Sequence, residues 1–171
     1  MEENQDEVLF HEIQALTQKW IWLTLICAHL GMAYAVLQFK DGALFGVLLI
    51  SWIFLGLTTL FMRLLRLEVK VNSKGIQVQF FPFHWSPIFF PWSDVQEAWA
   101  GKYAPLGEFG GWGWRYNFSG HAIAWSLSGN QCSKLVLRNG KKRLMGTRNP
   151  EGWKEVLRAN GKGTKDEKPP F

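Results

Sequence analysis

"FMRLLRLEVKVNSKGIQVQF", residues 61–80, is where the chain changes period. From Ala43 to Met62 no residue is charged; from Leu67 they alternate, Leu67, Val69 and Val71 against Glu68 and Lys70. After the polar stretch 72–75, Ile76, Val78 and Phe80 alternate with Gln77 and Gln79. Period-two runs on either side of a short polar turn read as a β-hairpin, with Gly75 at the position that tolerates positive φ. The same boundary therefore ends an apolar helical region and begins a β domain.

Backward from this boundary lie two apolar runs, "WIWLTLICAHLGMAYAVLQF" (20–39) and "ALFGVLLISWIFLGLTTLFM" (43–62), neither with an Asp, Glu, Lys or Arg. A helix of about 20 residues rises about 30 Å, the thickness of a bilayer hydrocarbon core, so two spans are expected. A signal peptide does not fit the first run: residues 1–19 carry Glu2, Glu3, Asp6, Glu7 and Glu12 against Lys19 alone. The spans are joined only by Lys40, Asp41 and Gly42, which predicts a tight antiparallel hairpin. Ala28, Gly31 and Ala35 on the first helix and Gly42 and Gly46 at the start of the second would let the backbones approach closely. Arg63, Arg66, Lys70 and Lys74 follow the second span, which by the positive-inside bias places both termini in the cytoplasm. Residues 8–19, with Val8, Leu9, Ile13 and Leu16 roughly on one helical face, read as a short interfacial helix or an irregular cytoplasmic tail.

Forward from the hairpin, "IFFPWSDV" and "QEAWAGKY" supply a third and fourth strand. Residues 122–128, 133–139 and 141–147 supply three more, separated by turns at Gly129-Asn130 and Asn139-Gly140. One helix closes the domain: Asn149 is a good N-cap, Pro150 suits the first helical position, and Trp153, Val156 and Leu157 share a face. Gly161 ends it, and residues 161–171 read as a flexible polar tail.

Seven antiparallel strands capped by a C-terminal helix is a pleckstrin-homology-like (PH-like) plan. On "EFGGWGWR" (108–115), "SGN" (128–130) and "NGKKRLMGTRNPEGW" (139–153) the chain resembles bacterial membrane proteins that place a PH-like domain after a short transmembrane hairpin. The resemblance spans roughly residues 10–160. It implies an α+β membrane protein of the bacterial inner membrane: residues 1–19 interfacial, 20–62 a transmembrane hairpin, 63–160 a seven-stranded antiparallel barrel or sandwich with one C-terminal helix. The segment 114–130 departs from that family in its aromatic content.

The stretch "GEFGGWGWRYNFSG" (107–120) is not a dinucleotide fingerprint, because Gly111-Trp112-Gly113 is followed by Trp114, Arg115 and Tyr116 and no helix opens there. The glycines suit a sharp connection that pins Trp112 and Trp114, with Arg115 bonding loop carbonyls or a carboxylate such as Glu108; a ligand or partner site is the alternative.

"FFPFHWSPIFFPW" (80–92) offers Phe83, Trp85, Phe89, Phe90 and Trp92 either as barrel filling or as a surface for lipid or another membrane subunit. From Arg63 onward there are 17 Lys/Arg against 8 Asp/Glu, densest at Lys141, Lys142 and Arg143, a balance drawn toward anionic lipid. Nucleic acid is a poorer partner for this charge, since the domain is anchored and carries no recognised binding motif.

His29, inside the first span, is either an interhelical hydrogen-bonding group, with Ser51 or Thr58 as partner, or a haem or proton-relay residue. The sequence has no H-E-x-x-H, C-x-x-C or G-x-S-x-G. Cys27 and Cys132 are placed too differently to pair, and Asn117-Phe118-Ser119 is a chance sequon on a cytoplasmic domain. The expected function is accordingly a non-catalytic interaction module without cofactor, an accessory or scaffold subunit that contacts lipids and other membrane subunits or itself. An anionic-lipid sensor and a His29-dependent redox subunit are the alternatives.

Overall fold

The strand that begins at the period change finds its first partner upstream of the apolar helices. In a computed structural model, which describes residues 8–40, 42–117 and 122–162, β1 (Val8–Ala15) precedes α1 (Lys19–Gln38) and α2 (Ala43–Leu64) and pairs antiparallel with β2 (Arg66–Asn72). The acidic start 1–7, Asp41 of the interhelical turn, residues 118–121 and the tail 163–171 lie outside the described residues.

The expected interfacial helix over 8–19 is therefore corrected to a strand. Phe10, Glu12 and Gln14 face Val71, Val69 and Leu67, whereas Val8, Leu9 and Ile13 are exposed. Side chains of β1 hold it to the far end of the domain. Gln14 donates to the Gly146 carbonyl at 2.7 Å, Glu12 accepts from the Arg148 backbone N–H at 2.7 Å and from the Thr147 hydroxyl, and the Phe10 and Trp153 rings lie 5.2 Å apart.

A four-stranded antiparallel sheet runs β1, β2, β3 (Gly75–Phe81), β4 (Ile88–Pro91). Its inner face carries Leu67, Val69, Val71, Ile76, Val78 and Phe80, all essentially without exposure. In the β2–β3 turn the Asn72 side chain accepts from the backbone N–H groups of Lys74 and Gly75. Gly75 is needed for space and not for positive φ: a Cβ there would sit 2.4 Å from the Phe90 carbonyl oxygen.

The second sheet has five strands, β5 (Val95–Lys102), β8 (Gln131–Leu137), β9 (Lys142–Gly146), β7 (Ala122–Ser126) and β6 (Gly113–Tyr116), in that spatial order. Two of its features were not expected. The strand β6 lies inside the glycine-rich stretch, and β7 pairs parallel with β9, so the domain is neither seven-stranded nor wholly antiparallel, and its two sheets do not close into a barrel.

The sheets meet where the Phe90 ring approaches Trp125. The closing helix α4 (Pro150–Ala159) lays Trp153, Val156 and Leu157 into the same core, its first turn capped by the Asn149 side chain accepting from the Gly152 N–H. A smaller core forms on the other face of the five-stranded sheet, where Cys132, Leu144, Ala122 and Ala124 are covered by Tyr103 and by Phe109 of the short helix α3 (Pro105–Phe109).

The apolar helices form a separate unit, residues 16–65. Both are long and apolar enough to cross a membrane, and almost none of their residues is fully buried within the chain. Their contact is polar at its centre. Trp52 Nε1 donates to His29 Nδ1 at 3.1 Å, and His29 Nε2 lies 3.0 Å from the Thr59 hydroxyl, which itself donates to the Leu55 carbonyl. The partners of His29 are thus Trp52 and Thr59; Ser51 and Thr58 donate to carbonyls of their own helix.

Ala28, Gly31 and Gly46 are exposed, Ala35 is half-buried, and Gly42 is the N-cap of α2 at φ 85°. A Cβ at Gly31, Gly42 or Gly46 would meet nothing within 4 Å, so the close approach expected at these residues is not made within the hairpin.

Candidate functional site

The functional candidates divide between the two faces of β6, because successive side chains of a strand point to opposite sides. Trp114 and Tyr116 are on one face, Gly113 and Arg115 on the other.

On the first face an aromatic ridge forms. Trp114 packs edge-on to Phe83 at 5.7 Å, tilts against His84 at 5.1 Å and continues to Tyr116 at 6.1 Å. From Phe83 the ridge runs to stacked Phe80, whereas Trp85 meets Phe81 edge-on at 5.8 Å as a separate pair on the opposite face of β3. The Arg66 guanidinium lies 5.7 Å from the Phe81 ring centre, a cation–π geometry. At the other end Arg143 is the strand partner of Ile123, itself the partner of Tyr116. Burial lowers the Arg143 pKa from its ordinary value, and Tyr116 acts in the opposite direction.

Trp85 is 81% exposed and Phe83, Tyr116 and Trp114 are all substantially open to solvent. Large apolar groups left open in one contiguous group are what a lipid or protein surface covers. Phe83 of the hairpin and Trp114 of β6, far apart in sequence, are thus parts of one surface. Phe89 is also exposed and lies against Gly75. Phe90 and Trp92 are buried in the core, Trp92 donating to the Asn72 carbonyl at 3.0 Å, which corrects their assignment as contact residues.

His84 anchors the ridge from beneath. Its backbone N–H donates to the Phe80 carbonyl, its Nδ1 accepts from the Phe80 N–H, and its ring faces Trp125 as well as Trp114. Burial holds its pKa below the ordinary histidine value.

The second face belongs to the glycine–tryptophan loop. Gly110, Gly111 and Gly113 take φ of 69°, 127° and 113°, the left-handed region that favours glycine, which lets the chain turn from α3 into β6 in four residues. Arg115 Nε donates to the Trp112 carbonyl at 3.0 Å, and Trp112 Nε1 donates to the Gly129 carbonyl at 2.7 Å. Arg115 thus bonds a loop carbonyl, as the sequence led one to expect.

The carboxylate of Glu108 takes a different cation. It accepts from Lys134 Nζ at 2.8 Å and, through its other oxygen, from the Ala104 N–H at 2.9 Å. The Lys134 side chain has no exposure and its ammonium lies 5.7 Å from the Trp99 ring centre. Sequence reading missed Lys134, because a lysine in an alternating strand reads as outward-facing. Beside this pair the loop leaves an open, mostly apolar depression of about 460 Å³ lined by Ala104, Pro105, Leu106, Trp112 and Asn130.

The three residues of the basic cluster differ in exposure. Lys141 is exposed in the β8–β9 turn, where its N–H is held by the Asn139 side chain, Lys142 opens β9, and Arg143 lies half-buried toward Tyr116. Among the described residues no group of three His, Cys, Asp or Glu side chains is placed to hold a metal ion. Compared with protein-family models, with curated proteins and with solved structures, the chain matches none.

Proposed function

We propose that this chain is a membrane-anchored, non-catalytic interaction module: a PH-like sandwich held at a membrane surface by the α1–α2 hairpin, serving a larger membrane assembly as an accessory or scaffold subunit. The observation that carries the reading is the insertion of the apolar hairpin between two paired strands, with Ala15 directly opposite Arg66. Strands that pair lie on one side of any bilayer that α1 and α2 cross. The domain is then tethered by two adjacent chain segments and held close to the membrane. The basic residues after α2 favour the cytoplasmic side, and the setting inferred is a bacterial inner membrane.

The PH-like assignment is supported by strand order. With the β6–β7 excursion set aside, a four-strand meander β1 to β4, a three-strand meander β5-β8-β9 and the closing helix α4 remain. The surface offered to a protein partner is the depression beside Trp112, where Leu106 and the indole stay open above a backbone fixed by the Glu108–Lys134 pair.

Photocrosslinking from position 106 in native membranes tests the reading. A discrete protein adduct that disappears in Trp112→Ala is expected. Absence of any adduct from position 106 and from the exposed hairpin positions 31 and 46 would contradict it, as would substrate turnover by the purified chain alone.

A second reading, recognition of anionic lipid through Lys141, Lys142 and Arg143, is favoured by one observation, the position of Arg143 at the end of the aromatic ridge. It requires liposome binding that falls with salt and is lost on reversing the three charges.

A further inference from the structure

We propose that the outer edge of β6 accepts an extended acidic segment of a partner protein as a further strand of the five-stranded sheet, with apolar side chains of that segment on Trp114 and Tyr116 and a carboxylate on Arg115. The inference rests on the interaction-module reading for having a protein partner, and adds to it a second surface and the chemistry of what binds there.

The edge is open. β6 ends its sheet, with β7 on one side alone. The Asn117 N–H donates to the Ala122 carbonyl at 3.0 Å, which makes these two residues a hydrogen-bonded pair at the end of the β6–β7 ladder. Such pairs alternate along antiparallel strands, so Arg115 bonds Ala124, Gly113 bonds Ser126, and the backbone N–H and C=O groups of Trp114 and Tyr116 point away from β7. No described residue bonds these outward groups. The edge strand β1 of the other sheet is treated differently: its Glu12 and Gln14 bond residues 146–148, and α4 packs against it. Folded proteins cover or charge their sheet edges, and an uncovered row of backbone donors and acceptors is what an added strand uses.

The flanking side chains select the occupant. Residues of an added strand alternate between the two faces as those of β6 do. On one face Trp114 and Tyr116 offer exposed rings to apolar neighbours. On the other, exposed Arg115 uses Nε on the Trp112 carbonyl, leaving the terminal nitrogens of its guanidinium for a carboxylate. Lys142, strand partner of Ala122, shares the Arg115 face, and Arg143, partner of Ile123, lies on the Tyr116 face. The carboxylate of α3, Glu108, is already taken by Lys134. The segment that complements this edge therefore reads apolar, acidic, apolar. A second copy of the chain suits it poorly. Two β6 strands pairing antiparallel through Trp114 and Tyr116 would set the Arg115 side chains of both copies directly opposite each other, and like charges so placed are destabilising.

The test uses the full chain in dodecyl maltoside with a fluorescein-labelled peptide amide, Ser-Thr-Val-Glu-Val-Thr-Ser, read by fluorescence anisotropy and by hydrogen exchange at single amides. Saturable binding is expected, with slowed exchange of the Trp114 and Tyr116 N–H groups. Methylating the backbone nitrogens of both valines, whose N–H groups would face β6, should weaken binding by about tenfold or more. Lysine in place of the peptide's glutamate should weaken it as well, and Arg115→Glu should reverse that preference.

Equal binding of the N-methylated peptide, or no saturable binding, overturns strand addition. Equal binding of the lysine peptide overturns the acidic occupant, and a dimer of the chain alone that protects the Trp114 and Tyr116 amides replaces it with a second copy. A failed peptide beside an intact crosslink from position 106 removes the edge proposal and leaves the module reading; failure of both removes both.

Discussion

Lys134 is buried without exposure and its ammonium lies 2.8 Å from the Glu108 carboxylate, tying β8 to the short helix at the base of the glycine–tryptophan loop. Removing one partner of a buried pair strands the other charge in a poor solvent and costs about 3–5 kcal/mol, whereas replacing both by apolar groups is often neutral. Glu108→Ala should therefore lower the unfolding midpoint sharply. Lys134→Met with Glu108→Leu should recover most of the loss, read by thermal unfolding in detergent.

Acid should weaken the domain in two steps. His84 has its pKa lowered by burial, so the fold favours the neutral ring. Its contribution is complete above the unfolded value of about 6.5 and falls as pH drops below it toward the lowered folded value. Glu68 has its pKa lowered chiefly by the hydrogen bond from Lys70, with His11 adding to it and burial opposing. That contribution is complete above the carboxylate's ordinary 4.5 and is lost as pH falls through the lowered value. Unfolding midpoints measured against pH should show the first decline flattened in His84→Gln and the second in Glu68→Gln.

The histidine between the two apolar helices should be a clasp and not a ligand. Trp52 can only donate, so Nδ1 accepts; the Thr59 hydroxyl proton goes to Leu55, so Nε2 carries a proton and donates to the Thr59 oxygen. A haem iron would have to displace one of these bonds. Added haemin should give no His29-dependent absorption near the Soret region, and His29→Leu should loosen the hairpin by about 1 kcal/mol, the scale of an interhelical hydrogen bond in lipid.

Two glycine substitutions should part company. Gly75→Ala pushes a methyl into the Phe90 carbonyl and the Phe89 ring, so it should disrupt the β3–β4 pairing and lower the unfolding midpoint by several degrees. Gly31→Ala, with open space around its Cβ position, should leave the isolated chain as stable or slightly more so. Reduced recovery of a membrane partner in Gly31→Ala alone would mark that outward face as a contact.

The sequence was legible where short-range period decides structure. Both apolar helices, the 67–80 hairpin, the later strands and the Asn149 cap are where the alternation and the capping rules put them. It was not legible where pairing is remote or burial runs against residue type. In β1 the apolar Leu9 and Ile13 face out while Glu12 and Gln14 face in, bonded to Gly146, Thr147 and Arg148 more than 130 residues away. β6 is four residues inside a glycine-rich stretch, and the parallel pairing of its neighbour β7 with β9 is set by long-range packing. Lys134 sits on a strand face that Tyr103 and the short helix α3 make an interior. Of the site, the aromatic content was plain, but the union of Phe83 with Trp114 and the burial of Phe90 against Trp125 come from the packing of one sheet on the other, which no short-range pattern shows.

The insertion of the hairpin between β1 and β2 is tested most directly by removing it. Residues 16–65 are replaced with Asn-Gly, the two-residue turn that joins antiparallel strands, so that Ala15 leads directly back to Arg66. This chain should be a soluble monomer that unfolds cooperatively, while residues 66–171 alone, lacking β1 and the Gln14 and Phe10 contacts, should not. Equal cooperativity of the two, or an unfolded joined chain beside a folded full-length protein, would contradict the insertion.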